Sequence, residues 1–547
     1  MTEQVPWPKP PREPGPWAGG PPVAPPGNTP LPPLPGPGGV SRPSAGGSNP
    51  FASIATGAAP GRVAAAGPRP PFPGLLAGPV MPVDRAPRWV VALSALVVLG
   101  LVAGGAFVVL KGGRQYPSAW DARVDPIARW VAKERKLSFD HPVEVNFLSE
   151  AAYRKVTTRG KSVESEGEDR QAMDDSLAQL RALGLLSGKV DLAKASDTLS
   201  DSGTLAFYDP GSEEVYVRGT KLTPALRVTL AHELVHVLQD QHFDLGRMES
   251  LAEGQAPVLR ALAEGDALRI EDRYGAEALT DDDRAAYEKE SAASGDEATE
   301  ALDDKVPPIL TALFASPYIF GPELVAYLDR SGDDDAIDDA LRDPPTEEVL
   351  FNPLVYGTDA AEPETVKVEP PDGAEALDAG EFGSTAWYLL LASRMEPATA
   401  LRATDGLGGD AYVVFRDADK VCVRVHARGD APRDVKELGD ALQAWVAKSP
   451  AGSARAEVVG DQVEFQSCDP GSDAAGVGQV SVELLQVPVL RTQLHGQVVA
   501  AGGTDAQGVC FAEGVIARFT FDQLEDEDYV ASPQGQQALT ELRAACG

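Results

Sequence analysis

Along the chain the apolar positions change rhythm several times, and each rhythm predicts a different element. From Trp89 to Leu110 the run WVVALSALVVLGLVAGGAFVVL holds 22 residues without a charge. At 1.5 Å rise per residue it would reach about 33 Å, enough to cross a hydrocarbon core of roughly 30 Å. It is too long for a signal-peptide core and 86 residues precede its flank, so 87–111 reads as one transmembrane helix. Pro142–Leu148 alternates like a strand feeding a helix near Ser149–Val156. Met173, Leu177, Leu180 and Leu183–Leu186 repeat at helical spacing. Leu205–Tyr208, a turn at Asp209–Ser212 and Val215–Val217 predict a β-hairpin.

Thr223 followed by Pro224 then predicts a helix start, a hydroxyl to cap free amides and a ring that fixes φ where no donor is needed. A second helical period surrounds Leu259–Arg269. The acidic stretch Asp281–Lys305 reads as a solvated excursion, and Glu362–Gly373 as a Pro- and Glu-rich connector. After Gly406, strand-like runs at Ala411–Phe415, Val421–His426, Gln462–Phe465 and Val515–Phe521 alternate with helices such as Asp434–Lys448. The expected layout is a Pro-rich tail (1–86), the transmembrane helix (87–111), an N-terminal part of the ectodomain (112–204), a central α+β domain (205–400) and a smaller α/β domain (401–547).

Composition sharpens this division. Residues 1–86 hold 24 of the 47 prolines, so the tail cannot bury enough apolar surface to offset its ordering entropy and is expected to be disordered. Its PxxP-like spacing could recruit a protein partner, though a plain spacer needs no such role. The whole chain carries 48 basic and 82 acidic residues, a net charge of −34, which argues against nucleic acid as a partner. Positive flanks on the two sides of the span nearly balance. All four cysteines (Cys422, Cys468, Cys510, Cys546) follow it, which suits two disulfides in an oxidising compartment and places the body outside the cell membrane, the tail in the cytoplasm. Of the three connectivities, the sequential pairing 422–468 and 510–546 is preferred.

The chemistry gathers in His232-Glu-Leu-Val-His236. On a helix, His232 and His236 lie one turn apart on one face, so both imidazoles can reach one metal ion at about 2.0–2.1 Å, while Glu233 can reach a water beside it. This is the HExxH pattern of zinc hydrolases. A third ligand is needed, and two residues compete. His242 has metzincin-like spacing, but Gln239 stands where that motif turns on glycine, and an unbroken helix would point His242 away. Glu264, on the next helical stretch, could face the metal if that helix ran antiparallel, and it is preferred. His141, His426 and His495 are scattered and read as packed or surface residues.

His232-Glu-Leu-Val-His236 with downstream Glu264-Gly-Asp-Ala resembles the gluzincin branch of zincin metallopeptidases. More narrowly, AHELVHVLQDQHFDL, SPYIFGPELVAYL (316–328), DPPTEEVLFNP (343–353) and GLGGDAYVVF (406–415) resemble poorly characterised, exported, bacterial zincin-like proteins, over about residues 200–425. The resemblance implies a zincin-like domain that binds Zn²⁺ through His232, His236 and Glu264 and hydrolyses peptide bonds in protein or peptide substrates, with Glu233 as general base. It also makes Tyr318 a candidate for stabilising the oxyanion, beside the plainer role of a core tyrosine. Where well-known gluzincins carry an Asp four residues after the glutamate ligand, this chain has Leu268, so a histidine must be oriented otherwise, by Asp266 or Glu271. The alternative reading is a catalytically inactive zincin-fold ectodomain that binds or scaffolds at the cell envelope.

Overall fold

The computed structural model describes residues 116–547 apart from 158–167, 203–204, 253, 303–304, 359–363 and 475–479, so the Pro-rich tail and the expected transmembrane helix lie outside the described residues. Helix and strand are mixed, with helix predominant, in keeping with an α+β class. Helix α1 (Asp125–Arg135) precedes β1 (Glu144–Leu148), which pairs in parallel with β3 (Glu214–Arg218). β3 in turn pairs antiparallel with β2 (Ala206–Asp209), leaving β2 at the edge of a three-stranded sheet. The hairpin turns where Asp209 accepts from the Gly211 amide and the Ser212 hydroxyl, at 2.9 and 2.8 Å.

Helix α2 (Pro224–Phe243) starts where Thr223 Oγ1 accepts the Leu226 amide at 3.3 Å and stops where Asp244 turns left-handed at φ 55°. Its side chains are buried on almost every side, as befits a helix inside a core rather than on a surface. Helix α3 (Ala256–Glu277) runs back along it: residue 239 meets 263, and 232 meets 271. The stretch expected as a solvated excursion is instead helix α4 (Asp281–Leu302). Three acids in its first turn complement the helix dipole. Glu290 and Asp283 tie it to the start of α2 through the Ala225 amide (3.0 Å) and Arg227 (2.7 Å).

Helix α5 (Pro308–Arg342) crosses α3 with backbones in contact. A Cβ on Gly265 would collide with the Gly321 carbonyl, and one on Gly321 with the Ala261 carbonyl, so both glycines are required for the approach. Pro317 removes the donor that would serve the Leu313 carbonyl, and the Ser316 hydroxyl takes it at 2.9 Å instead. Pro308–Arg330 is long and apolar enough to cross a membrane, but 67% of its most apolar window is buried inside the protein.

The second sheet is antiparallel throughout, in the order β4 (Glu375–Gly380), β5 (Leu407–Asp417), β6 (Lys420–Gly429), β8 (Gln462–Cys468), β7 (Ala454–Val459). Its edge strand β4 comes from residues ahead of 401. Helix α6 (Pro432–Ala447) packs on it through Leu438, Leu442 and Trp445. Helices α7 (Gln486–Ala500), α8 (Asp505–Arg518) and α9 (Pro533–Cys546) complete the chain. Val515–Phe521, expected as a strand, is the last turn of α8, a two-residue break at 519–520 and the first residue of a short helix, Phe521–Glu525. A capping box between Thr504 and Gln507 starts α8, and Phe511, Ala512, Val515 and Ile516 form its buried stripe. A short apolar run does not by itself distinguish the two periods. Disulfides join Cys422 to Cys468, directly opposed on β6 and β8, and Cys510 to Cys546.

Two large apolar cores result, beside a small third around Val413, Phe415 and Cys422. One joins the three-stranded sheet, α1 and the middle of α2; the other extends from Leu177 to Leu539 and includes α5 and most of the second sheet. Helix α3 belongs to both, giving Val258–Ala263 to the larger core and Ala267, Ile270 and Tyr274 to the smaller. The residues between those two sets lie at the seam.

Candidate metal centre

Glu264 occupies that seam, facing His232 and His236 across the antiparallel helix pair, and all three are fully buried. Their donor atoms form a small triangle: His232 Nε2 to His236 Nε2 3.0 Å, and Glu264 Oε2 to each at 3.3 and 3.4 Å. A cation holding tetrahedral ligands at about 2.0–2.1 Å needs them about 3.3 Å apart. The group can therefore hold a metal ion, and it is the one such group of three among the described residues.

The tautomers support the same conclusion. His232 Nδ1 donates to Glu271 Oε2 at 2.9 Å. His236 Nδ1 faces Gln239 Oε1 at 2.9 Å, and that amide's orientation is fixed because its NH₂ donates to the Ala263 carbonyl and Asp266 Oδ2, both at 3.0 Å. With each Nδ1 carrying a proton, both Nε2 atoms face the triangle, where a cation would replace the second proton that the carboxylates otherwise favour on His232. Asp266 is held in turn by Arg135 Nε at 2.7 Å and Arg269 at 2.9 Å, so a buried chain of contacts runs from α1 to His236.

Both residues expected to replace the missing aspartate at Leu268 take part, by different routes. Glu271, two turns beyond Glu264 on the same helix face, touches His232 directly, and Asp266 acts through Gln239. Gln239 itself was legible only as the residue standing where a glycine would turn the chain. Its signal was its position three residues after His236, one turn along the same helix. His242, the other candidate ligand, points away, and its Nε2 meets the Ser138 carbonyl at 2.8 Å on an exposed face.

Glu233 is fully buried, and its Oε2 accepts the Tyr208 amide of edge strand β2 at 2.8 Å. The Tyr208 hydroxyl donates to Asp240 at 2.7 Å, two turns along α2, so one residue fastens β2 to the motif helix at two points. Glu233 Oε1, Glu264 Oε1, the Tyr318 hydroxyl, and Nε and Nη2 of Arg260 are buried without hydrogen-bond partners. The Gly265–Gly321 crossing brings Tyr318, one turn before Gly321, beside Glu264.

Burial disfavours charge on His232, yet Glu264 and Glu271 outweigh it and hold its pKa well above the usual imidazole value. Burial likewise pushes Glu264 up, but the two imidazoles more than offset that and keep it well below the carboxylate range. Burial raises the Glu233 carboxyl well above its usual value; His232 opposes the shift and Glu264 adds to it. Burial and then Glu264 raise the Tyr318 phenol. The carboxylates gathered here favour a divalent cation.

No protein-family model, curated protein or solved structure matches this chain.

Proposed function

We propose that the chain is a zinc-dependent peptidase with a zincin-like centre. The observation that carries this reading is Glu233, with one carboxylate oxygen held by the Tyr208 amide and the other free beside the His232–His236–Glu264 triangle. Two imidazoles and one carboxylate, with no redox partner, suit zinc. When bound, zinc supplies Lewis acidity that lowers the pKa of water to about 7 and polarises a carbonyl. His232, His236 and Glu264 would hold it, with Glu271 and Gln239 keeping the imidazoles in the ligating tautomer.

Glu233 Oε1 takes the proton of the attacking water as its oxygen adds to the peptide carbonyl carbon. Glu233 then returns that proton to the leaving nitrogen as the C–N bond breaks, giving a carboxylate and an amine. Tyr318, buried beside Glu264, would donate its hydroxyl to the oxyanion. The paired cysteines support a body in an oxidising compartment, anchored by the span expected at 87–111.

The full chain in detergent is expected to contain about one zinc and to cleave casein. Glu233→Gln should keep the metal and lose about 10²–10⁴ of the activity. Equal activity of the two proteins would overturn the reading. One observation favours a second reading, a metal-stabilised ectodomain without catalysis: ligands and base alike have no exposed surface, so substrate entry requires a movement at the seam. Bound zinc without cleavage of any peptide would select it.

A further inference from the structure

Three arginines are buried among the described residues, and two of them are matched to carboxylates. Arg135 holds Asp266 and Asp338, and Arg491 holds Asp405 and Glu513. That is the ordinary solution, because a guanidinium stays charged and its desolvation must be offset by partners. Arg260 is the exception. It keeps only 9% of its surface exposed, and no acceptor reaches its Nε or Nη2. Acids outnumber bases 82 to 48 in the chain, so a partner was not lacking for want of carboxylates.

Its position gives the exception meaning. On α3, Arg260 lies one helical turn before Glu264 on the same face. Its charge lies close enough to act on the Tyr318 phenol, as does that of Glu264. Five buried atoms without hydrogen-bond partners (Glu233 Oε1, Glu264 Oε1, the Tyr318 hydroxyl, Arg260 Nε and Nη2) thus belong to residues of the metal centre and their neighbours. The first three are accounted for by peptide hydrolysis and the guanidinium is not.

We propose that Arg260 is the specificity-determining residue of this site and binds a carboxylate of the peptide substrate. The proposal rests on the peptidase reading. A helical turn is about 5.4 Å and an extended peptide advances about 3.3–3.6 Å per residue, so the carboxylate lies one or two residues from the bond that is cut. It can be a chain-terminal carboxylate or an acidic side chain; both offer the planar pair of oxygens that a guanidinium grips with two hydrogen bonds.

Four alanine hexapeptides distinguish the sources: free C-terminus or C-terminal amide, and, acetylated and amidated, one central Glu or Gln. The full-length enzyme should prefer the carboxylate-bearing member of one pair by about 10–100-fold in kcat/KM, and Arg260→Gln should bring that ratio near 1. Which pair shows the preference identifies the carboxylate. A preference unchanged in Arg260→Gln, or no preference in either pair, overturns the proposal. A readout independent of turnover uses Glu233→Gln protein, with or without metal. The preferred peptide should bind it more tightly than its neutral partner, and adding Arg260→Met should abolish the difference. Arg260→Met alone should hold or raise the melting temperature, since it removes an unmatched buried charge; a marked fall would mark Arg260 as a folding residue. If the wild type cleaves none of the peptides but binding still distinguishes the pair through Arg260, the peptidase reading fails and the carboxylate site stands.

Discussion

Asp410 on β5 and Glu233 on α2 are both buried carboxylates, and their surroundings differ. Asp410 accepts from the Phe382 and Gly383 amides and the Trp387 indole, at 2.6, 3.0 and 2.8 Å, so both its oxygens are used. Nearby, Arg491 holds two carboxylates and the Phe351 carbonyl. Around Glu233, by contrast, several polar atoms converge without partners. Burying an unmatched polar atom costs about 1–3 kcal/mol. Several such atoms beside one set of possible metal ligands mark a site that meets its partners from outside, whereas Asp410 and Arg491 spend their polar groups on holding the fold together.

The largest expected effect tests whether a cation is what the seam lacks. Glu264→Ala, or exhaustive chelation, should remove the bound metal. If free metal is kept a thousandfold above its Kd, its loss costs about 4 kcal/mol of stability. Calorimetry with and without chelator measures this, and an unchanged melting curve in a protein shown to carry metal would contradict it. Next comes the helix crossing: Gly321→Ala should cost about 1–3 kcal/mol through backbone overlap with Ala261, read by urea unfolding. Gly275 on α3, whose Cβ position meets only the Tyr287 ring at 3.8 Å, supplies a control without such a clash.

Gln239→Ala and Glu271→Gln leave all three ligands in place and should weaken metal affinity by about 10–100-fold, measured by competition with a chelating dye. The smallest effect sharpens the contrast from the sheet side. Burial, then Asp430 and Asp405, push the Glu348 carboxyl up to about 8 from its ordinary 4.5. A raised acid contributes its full stability below pH 4.5 and loses it as pH rises through 8. The melting temperature should therefore fall between pH 5 and pH 9, and Glu348→Gln should recover about 4 °C at pH 9 while changing little at pH 5.

The motif helix was legible in the sequence because its features are local. Thr223 and Pro224 mark its start, and four-residue spacing alone puts His232 and His236 on one face. The hairpin at 205–217 was legible for the same reason, its turn chemistry being contained in Asp209–Ser212. Val515–Phe521 was misread because its apolar run satisfies either period, and the cap that decides between them lies eleven residues upstream at Thr504. The acidic stretch 281–305 concealed a helix, since its polar composition does not show that Glu290 and Asp283 find partners on α2.

By itself, then, the sequence determined which two imidazoles and which carboxylate share a helical turn, because that geometry follows from the rise and twist of one helix. Tertiary structure decided that Glu264 rather than His242 faces them, that Glu271 and Gln239 set their tautomers, and that Arg260 goes without a carboxylate. Each of those depends on how α3 reverses against α2 and how closely α5 crosses it at Gly265 and Gly321, contacts between residues far apart in the chain that no local pattern encodes.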